Sequence, residues 1–156
     1  MADDILTFIP ALRTLSRVLC STHADAEDLV QETLLRAIEY ADHYQPGTNM
    51  RAWLLKIMRN RFYTKCRLSA RERTGSGDCV SLTPSVKPSQ EWHLRLLEMR
   101  SALRALPDPY RDAIVLVGVL GESYIDAAEI LDCDIGTIKS RVSRARTMLR
   151  SRLEAA

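Results

Sequence analysis

The sequence predicts an all-α protein made of two small helical domains, and three observations lead there. Apolar residues recur at helical spacing along most of the 156 residues, without strand-like alternation of any length. A stretch rich in glycine, serine and proline interrupts this pattern at 70–89. The C-terminal segment has the spacing of a helix-turn-helix. We therefore expect domains at 1–69 and 90–156, joined by a flexible linker at 70–89.

Composition and charge exclude several classes of protein. With 46% hydrophobic residues the chain can form helical cores, so wholesale disorder is not expected. No apolar run approaches the ~18–20 residues of a membrane span, and the acidic N-terminus lacks the basic start of a secretion signal. These features predict a cytoplasmic protein without membrane insertion.

The sequence offers no catalytic or metal-binding constellation. Its histidines are isolated, and it has neither a P-loop nor a glycine-rich loop after a strand. Four scattered cysteines form no CxxC and no His/Cys cluster, which predicts free thiols: Cys20, Cys66, Cys79 and Cys133. We expect no enzyme activity, no cofactor and no metal.

The first two predicted helices span residues 5–20 and 26–41. Pro10 either interrupts the first helix or opens it. Asp25 is expected to cap the second, with Asp28 in the capping-box position. The side of the second helix that should face the core carries Val30, Thr33, Leu34, Ala37 and Ala41.

The outer face of this second helix mixes acids with an exposed leucine: Asp28, Gln31, Glu32, Leu35 and Glu39. Such a face repels DNA and suits a basic or mixed protein partner. Taken alone, it is more typical of an ordinary solvated surface.

After a loop at 45–49, where Pro46 and Gly47 stop helices, a third helix is expected at 50–68. Its core side should carry Trp53, Leu54, Ile57 and Met58. A second side, within a 100° arc, carries cations, an amide and an aromatic ring: Lys56, Arg59, Asn60, Tyr63 and Arg67. This composition suits a nucleic-acid backbone and stacked bases, although a surface tyrosine can also simply cover apolar neighbours.

The second domain is expected to begin with helices at 90–106 and 110–120, separated by the Pro107-Asp108-Pro109 break. Gly121 suits a helix C-terminus and Ser123 the cap of the next helix. The helix-turn-helix spacing then depends on three positions. Ala128 is small where the two helices should cross, Asp132 lies at the turn and can adopt the left-handed conformation, and Ile138 should be buried under the second helix. Asp134 is placed to cap the last helix.

The last helix is the most informative element of the chain. No acidic residue occurs from 136 to 152, and the positions expected to be buried form one stripe: Ile138, Val142, Ala145 and Leu149. The outer face carries mostly small hydrogen-bonding residues with one arginine: Thr137, Ser140, Ser143, Arg144 and Thr147. A helix of this kind fits a DNA major groove.

The basic residues are concentrated in two separate segments of a chain whose net charge is only +2. Residues 51–73 hold eight Lys/Arg against one acid, and residues 137–152 hold six against none, whereas residues 1–50 carry eight acids and three bases. This distribution indicates two contacts with one polyanion, although each segment alone is also compatible with a solvated helix face.

Together these segments resemble the extracytoplasmic-function sigma factors, small bacterial RNA polymerase specificity subunits. The resemblance to sigma region two lies in the segment DAEDLVQETLLRAIEYADHYQPGTNMRAWLLKIMRN. The resemblance to region four lies in the segment LPDPYRDAIVLVGVLGESYIDAAEILDCDIGTIKSRVSRARTMLR. The resemblance is greatest to the branch that runs the general stress response of alphaproteobacteria. It implies promoter-specific transcription initiation, with core polymerase, promoter DNA and an anti-sigma factor as partners.

The resemblance also assigns roles to residues. Docking on the clamp helices of the polymerase large subunit is implied for Asp28, Gln31, Glu32 and Leu35. Contact with the −10 element is implied for Asn49, Lys56, Arg59, Asn60, Tyr63 and Arg67. Contact with the −35 element is implied for Thr137, Lys139, Ser140, Arg141 and Arg144.

Two alternatives belong to other functional classes. A sigma mimic would sequester an anti-sigma factor without transcribing, but the intact basic last helix favours DNA binding. A conventional dimeric repressor is disfavoured because the tethered two-domain layout does not require a palindromic site.

Overall fold

The computed structural model describes residues 2–72 and 91–155, which belong to two compact units. The described part of the chain is helical and contains no strand, so the all-α prediction is confirmed. The predicted linker lies outside the described residues except for 70–72, which continue a helix.

The described residues of the first unit, 2–72, form four α-helices: α1 (Ala2–Thr7), α2 (Ile9–Leu19), α3 (His23–Glu39) and α4 (Met50–Glu72). A 3₁₀ turn at Ala41–His43 follows α3. Helices α2, α3 and α4 pack on one another around side chains that are at most 1% exposed: Leu12, Leu29, Leu54, Leu55 and Met58. Pro10 lies in the first turn of α2, where a missing N–H costs no helical hydrogen bond, so it opens that helix.

Helix α3 begins earlier than predicted, and its cap is a different residue. The hydroxyl of Thr22 accepts a hydrogen bond from the backbone N–H of Asp25 at 3.1 Å, so Thr22 is the N-cap and the assignment of Asp25 was wrong. Asp25 instead lies in the first turn, where its carboxylate interacts favourably with the helix dipole.

The predicted core of the first unit is largely correct. On α3, Val30, Thr33 and Ala37 are buried, and the Thr33 hydroxyl donates to the carbonyl of Leu29 at 2.7 Å. The other two predicted core positions, Leu34 and Ala41, are half-buried.

On α4 the prediction was wrong for two side chains. Trp53 and Ile57 are half-buried, and the unpredicted Leu55 is fully buried instead. The ring of Trp53 packs 5.1 Å from that of Tyr44, so it covers the preceding loop. Helix α4 also continues past Leu68 to Glu72, because no glycine or proline stops it there.

The second unit contains α5 (Glu91–Arg104), α6 (Asp108–Ile114), α7 (Tyr124–Ile130) and α8 (Ile135–Glu154). A π-helical turn at Val115–Val119 continues α6. Helix α8 packs against α5, α6 and α7 around side chains that are at most 2% exposed: Leu116, Ile130, Ile138 and Val142. Helix α6 begins at Asp108 and not at Tyr110, because Pro107 takes the cap position and Pro109 is tolerated in the first turn.

The turn between α7 and α8 has the predicted geometry. Asp132 has φ 51°, the left-handed conformation expected there, and Gly121 before α7 has φ 70°. Ser123 caps α7 by accepting from the N–H of Asp126 at 3.0 Å. Asp134 occupies the cap position of α8, but its side chain makes no capping hydrogen bond.

Candidate nucleic-acid and protein interfaces

Helix α3 presents an apolar strip bordered by polar groups. Leu35 is 61% exposed and Ile38 63%, and their i, i+3 spacing makes them neighbours on the helix surface. Asp28 and Gln31 are exposed on the same side, as predicted from the sequence. Ile38 was missed, although its spacing from Leu35 could have revealed it.

Glu32 differs from the other predicted residues of this face because its carboxylate is bound within the unit. Its Oε2 accepts from Arg61 Nε at 2.7 Å, and its Oε1 accepts from Lys65 Nζ at 2.8 Å. Partial burial raises the pKa of Glu32, but the hydrogen bonds and positive charges of Lys65 and Arg61 outweigh it, so the pKa lies below its ordinary value of 4.5. Glu32 therefore links α3 to α4.

Four of the predicted −10 side chains on α4 interact locally. The guanidinium of Arg59 lies over the ring of Tyr63, 5.1 Å from its centroid, and Phe62 meets the same ring edge-on at 5.2 Å. Arg67 Nε donates to the carbonyl of Tyr63 at 3.3 Å. Asn60 Oδ1 accepts from Arg59 Nη1 at 3.5 Å and is exposed, and Lys56 lies half-buried one turn earlier. The structure thus gathers a cationic and aromatic surface around Tyr63.

Asn49, the remaining predicted −10 residue, caps α4. Its Oδ1 accepts from the N–H of Ala52 at 3.1 Å, which leaves its amide N–H₂ directed away from the cap. The preceding loop is closed by the Tyr44 hydroxyl, which donates to the carbonyl of Thr48 at 2.8 Å. Asn49 therefore lies between the basic helix α4 and a loop that is held by its own hydrogen bonds.

Four of the five predicted −35 residues line one groove beside α8. A groove of about 450 Å³ runs along one side of the helix and is lined by Thr137, Ser140, Arg141 and Arg144. Its opposite wall comes from the start of α6 and includes Tyr110, which the sequence did not single out because no local pattern links it to α8.

Lys139 and Arg141 have partners within the helix-turn-helix. Lys139 Nζ lies 5.9 Å from the ring centroid of Tyr124, away from the groove. Arg141 Nη1 lies 3.8 Å from the Sγ of Cys133. Ser140 and Arg144 are exposed, so they are the groove residues most open to a ligand.

Two further features are absent from residues 2–72 and 91–155. Among them, no group of three or more His, Cys, Asp or Glu side chains is arranged to hold a metal ion. Within the same part of the chain, no helix combines the length and apolar character that crossing a bilayer requires. Cys20, Cys66 and Cys133 are free thiols, and Cys79 lies outside the described residues.

Two family models match the chain, one for each unit. Sigma-70 region 2 matches residues 5–72, and Sigma-70, region 4 matches residues 96–149. A relative in Rhodopseudomonas palustris, the ECF RNA polymerase sigma factor EcfG, is 46% identical over 149 residues, which cover 96% of this chain and 82% of the relative. The chain belongs to the extracytoplasmic-function (ECF) RNA polymerase sigma factors.

Solved structures agree with this assignment. The sigma factor RpoE from Bartonella quintana, crystallised with the anti-sigma factor NepR, is similar with a TM-score of 0.87 and 43% identity, covering 97% of this chain and 95% of that one. CnrH, solved with the cytosolic domain of CnrY, is similar with a TM-score of 0.70 and 28% identity, covering 93% and 81%. The region 2 match of this ECF sigma factor covers part of α1 and all of α2–α4, and the region 4 match covers the helix-turn-helix.

Proposed function

We propose that this sigma factor binds core RNA polymerase through α3, contacts the −10 element through α4 and contacts the −35 element through α8. The observation that carries the proposal is the pair of basic helix faces, one in each unit, within a chain of nearly neutral net charge. A subunit that recognises two separated promoter elements needs two such faces.

Helix α8 supports contact with duplex DNA. Its apolar stripe is buried, while Ser140 and Arg144 are exposed on another side. A major groove admits such a helix, small hydroxyl side chains permit close approach to base edges, and arginine can donate two hydrogen bonds to guanine. We assign −35 recognition to Thr137, Ser140, Arg141 and Arg144, and a phosphate contact to Lys139.

Helix α4 supports contact with melted DNA. Arg59 and Tyr63 already form a cation–aromatic pair, and an unpaired base stacks on the same kinds of surface. Asn60 and Arg67 offer further donors beside that pair, and the free amide of Asn49 does so at the start of the helix. Because stacking tolerates any base, specificity at −10 has to come from these hydrogen-bonding groups.

Polymerase binding is assigned to the exposed apolar strip of α3. Leu35 and Ile38 supply an apolar centre, and Asp28 and Gln31 supply a polar edge, the usual anatomy of a protein interface. Ile38 thus joins the residues implied by the family resemblance.

Regulation by an anti-sigma factor follows from the relatives. RpoE, which shares this fold, was solved with the anti-sigma factor NepR, and CnrH was solved with the cytosolic domain of CnrY. We assign the present protein to the cytoplasm as a transcription factor without enzymatic activity of its own, acting on stress-type promoters as the resemblance implies.

Run-off transcription with purified core polymerase tests the proposal. We expect a defined transcript from a promoter that carries both elements, and its loss when either element is scrambled. Core polymerase without the sigma factor is the matched control. The proposal would be wrong if the folded, core-bound protein gave no promoter-dependent transcript; a protein that bound an anti-sigma factor but not core polymerase would instead be a sigma mimic.

A further inference from the structure

The side of α4 that faces the rest of its unit changes from buried apolar residues to half-buried cations about halfway along the helix. Leu54 and Met58 are fully buried there. At i+3 and i+4 from Met58 lie Arg61, a half-buried cation, and Phe62, a half-buried aromatic side chain, and Lys65 follows Arg61 at i+4 as a second half-buried cation. The last buried side chain of α4 is therefore Met58, and the segment with the predicted −10 residues Arg59, Asn60, Tyr63 and Arg67 follows it.

Glu32 on α3 forms an ion pair with each of these two cations. Each of its two oxygens accepts one charge-assisted hydrogen bond, at 2.7 Å from Arg61 and 2.8 Å from Lys65. Its side chain is 29% exposed and that of Arg61 is 25% exposed, so solvent screens this contact less than it screens an open surface pair. A carboxylate with both oxygens bound in this way is poorly placed to serve as a primary contact for another protein.

We infer that Glu32 is a positioning residue, which fixes the second half of α4 relative to α3 and does not itself contact polymerase. The inference deepens the proposed function, on which it rests, by making Glu32 the structural connection between the polymerase-binding and −10-binding helices. Arg61 and Lys65 lie about 140–180° around α4 from Lys56, so Glu32 holds the helix from the side opposite its DNA-binding face.

The inference also changes the role of two cations. Arg61 and Lys65 belong to the basic segment at 51–73 but are occupied by Glu32, whereas Arg59 and Arg67 remain on the other side of the helix. Because Arg61 and Lys65 lie on the side of α4 away from its DNA-binding face, replacing Glu32 adds no DNA contact, and −10 binding should weaken through the lost position of the helix alone.

The experiment compares Glu32→Gln, Arg61→Gln/Lys65→Gln and the triple variant with the unsubstituted protein. Three quantities are measured: affinity for core polymerase, affinity of the holoenzyme for a single-stranded −10 oligonucleotide, and amide hydrogen exchange of 61–72 in the free protein. For Glu32→Gln we expect oligonucleotide affinity to fall about two- to tenfold, core affinity to stay within about twofold, and exchange of 61–72 to accelerate. In the Arg61→Gln/Lys65→Gln background the same substitution should change none of the three.

Asp28→Asn provides the matched control, because it removes an exposed carboxylate from the same helix. It should show the opposite pattern, with weaker core binding and unchanged exchange of 61–72. An equal loss of core affinity on Glu32→Gln in both backgrounds would overturn the inference and make Glu32 a polymerase contact, and unchanged exchange and oligonucleotide binding would also overturn it. Failure of the unsubstituted protein to bind core polymerase would instead overturn the proposed function, while the exchange data would still report on the contact between α3 and α4.

Discussion

Helices α4 and α8 are both long, basic and assigned to DNA, yet they are anchored by different forces. Helix α8 keeps an apolar stripe in its unit, with Ile138, Val142 and Ala145 all at most 1% exposed. The corresponding stripe of α4 is buried only to Met58, and beyond it two cations that pair with Glu32 lie beside the half-buried Phe62.

The difference has consequences for the two contacts. Hydrophobic burial is non-directional and nearly independent of salt, so α8 is held as a rigid element suited to a duplex of fixed shape. Ion pairs are weaker and are screened by salt, so the second half of α4 can adjust its position more easily. In the proposed function this half binds melted DNA, whose shape is less fixed.

The largest expected effect comes from truncating the anchor of α8. Ile138→Ala removes a fully buried side chain and should destabilise region 4 by about 2–5 kcal/mol, because the cavity adds to the lost burial energy. Native-state hydrogen exchange of α8 amides measures this at low and high salt, and the loss should be the same at both. If the loss of stability depended strongly on salt, α8 would also be held by ion pairs, and the proposed difference between α4 and α8 would be wrong.

A smaller effect is expected for Arg144→Ala, which leaves the anchor of α8 intact. Promoter binding should weaken by about 1–3 kcal/mol and −35 preference should relax, because a bidentate base contact is lost. Competition binding with intact and scrambled −35 duplexes measures both. Arg95→Ala, which removes an arginine ion-paired to Glu91 on α5, is the control and should leave −35 preference unchanged. Unaltered preference in Arg144→Ala would contradict the assignment of that face.

The two helix starts provide the next comparison, because Asn49 caps α4 through a hydrogen bond and Asp134 caps α8 without one. Asn49→Ala should cost region 2 about 0.5–2 kcal/mol in urea unfolding followed by the fluorescence of Trp53, with the other tryptophan removed by Trp92→Phe in both proteins. Asn49→Asp retains the cap acceptor but removes the amide donor, so stability should be kept while −10 affinity falls. Equal −10 affinity in Asn49→Asp and the unsubstituted protein would limit Asn49 to its capping role.

The smallest expected effect is a pH dependence of the stability that the contact between α3 and α4 contributes. The pKa of Glu32 is lowered in the folded protein, so its contribution is complete above its ordinary value of 4.5 and is lost as the pH falls through the folded pKa. The stability difference between the unsubstituted protein and Glu32→Gln should be about 1 kcal/mol or less at neutral pH and shrink below pH 4.5. Urea titrations of the two proteins at several pH values measure it. A difference that grew on acidification would contradict the ion-pair assignment.

Much of this architecture could be predicted from local sequence patterns. Helical periodicity identified three residues of the buried stripe of α8, but it was wrong for Leu149, which is half-buried near the end of the helix. The conformational preference of Asp132 and Gly121 identified the turns. Helix boundaries were less accurate, because Thr22 and Asp25 are both good caps and only the folded hydrogen bond distinguishes them.

The site was harder to predict wherever it depends on packing between helices. Glu32 is separated from Arg61 and Lys65 by 29 and 33 residues, so no local pattern revealed that its carboxylate is occupied. Tyr110 and Tyr124 likewise border the predicted −35 residues only after α6 and α7 pack against α8.

Site-specific photocrosslinking in the holoenzyme–promoter complex tests the central claim most directly, namely that α4 and α8 contact different promoter elements. A crosslinker in place of Ser140 should label the −35 region, and one in place of Tyr63 should label the −10 region, with neither probe labelling the other element. If both probes labelled one element, or if neither labelled the promoter in a complex that transcribes, the assignment of one DNA element to each helix would be contradicted.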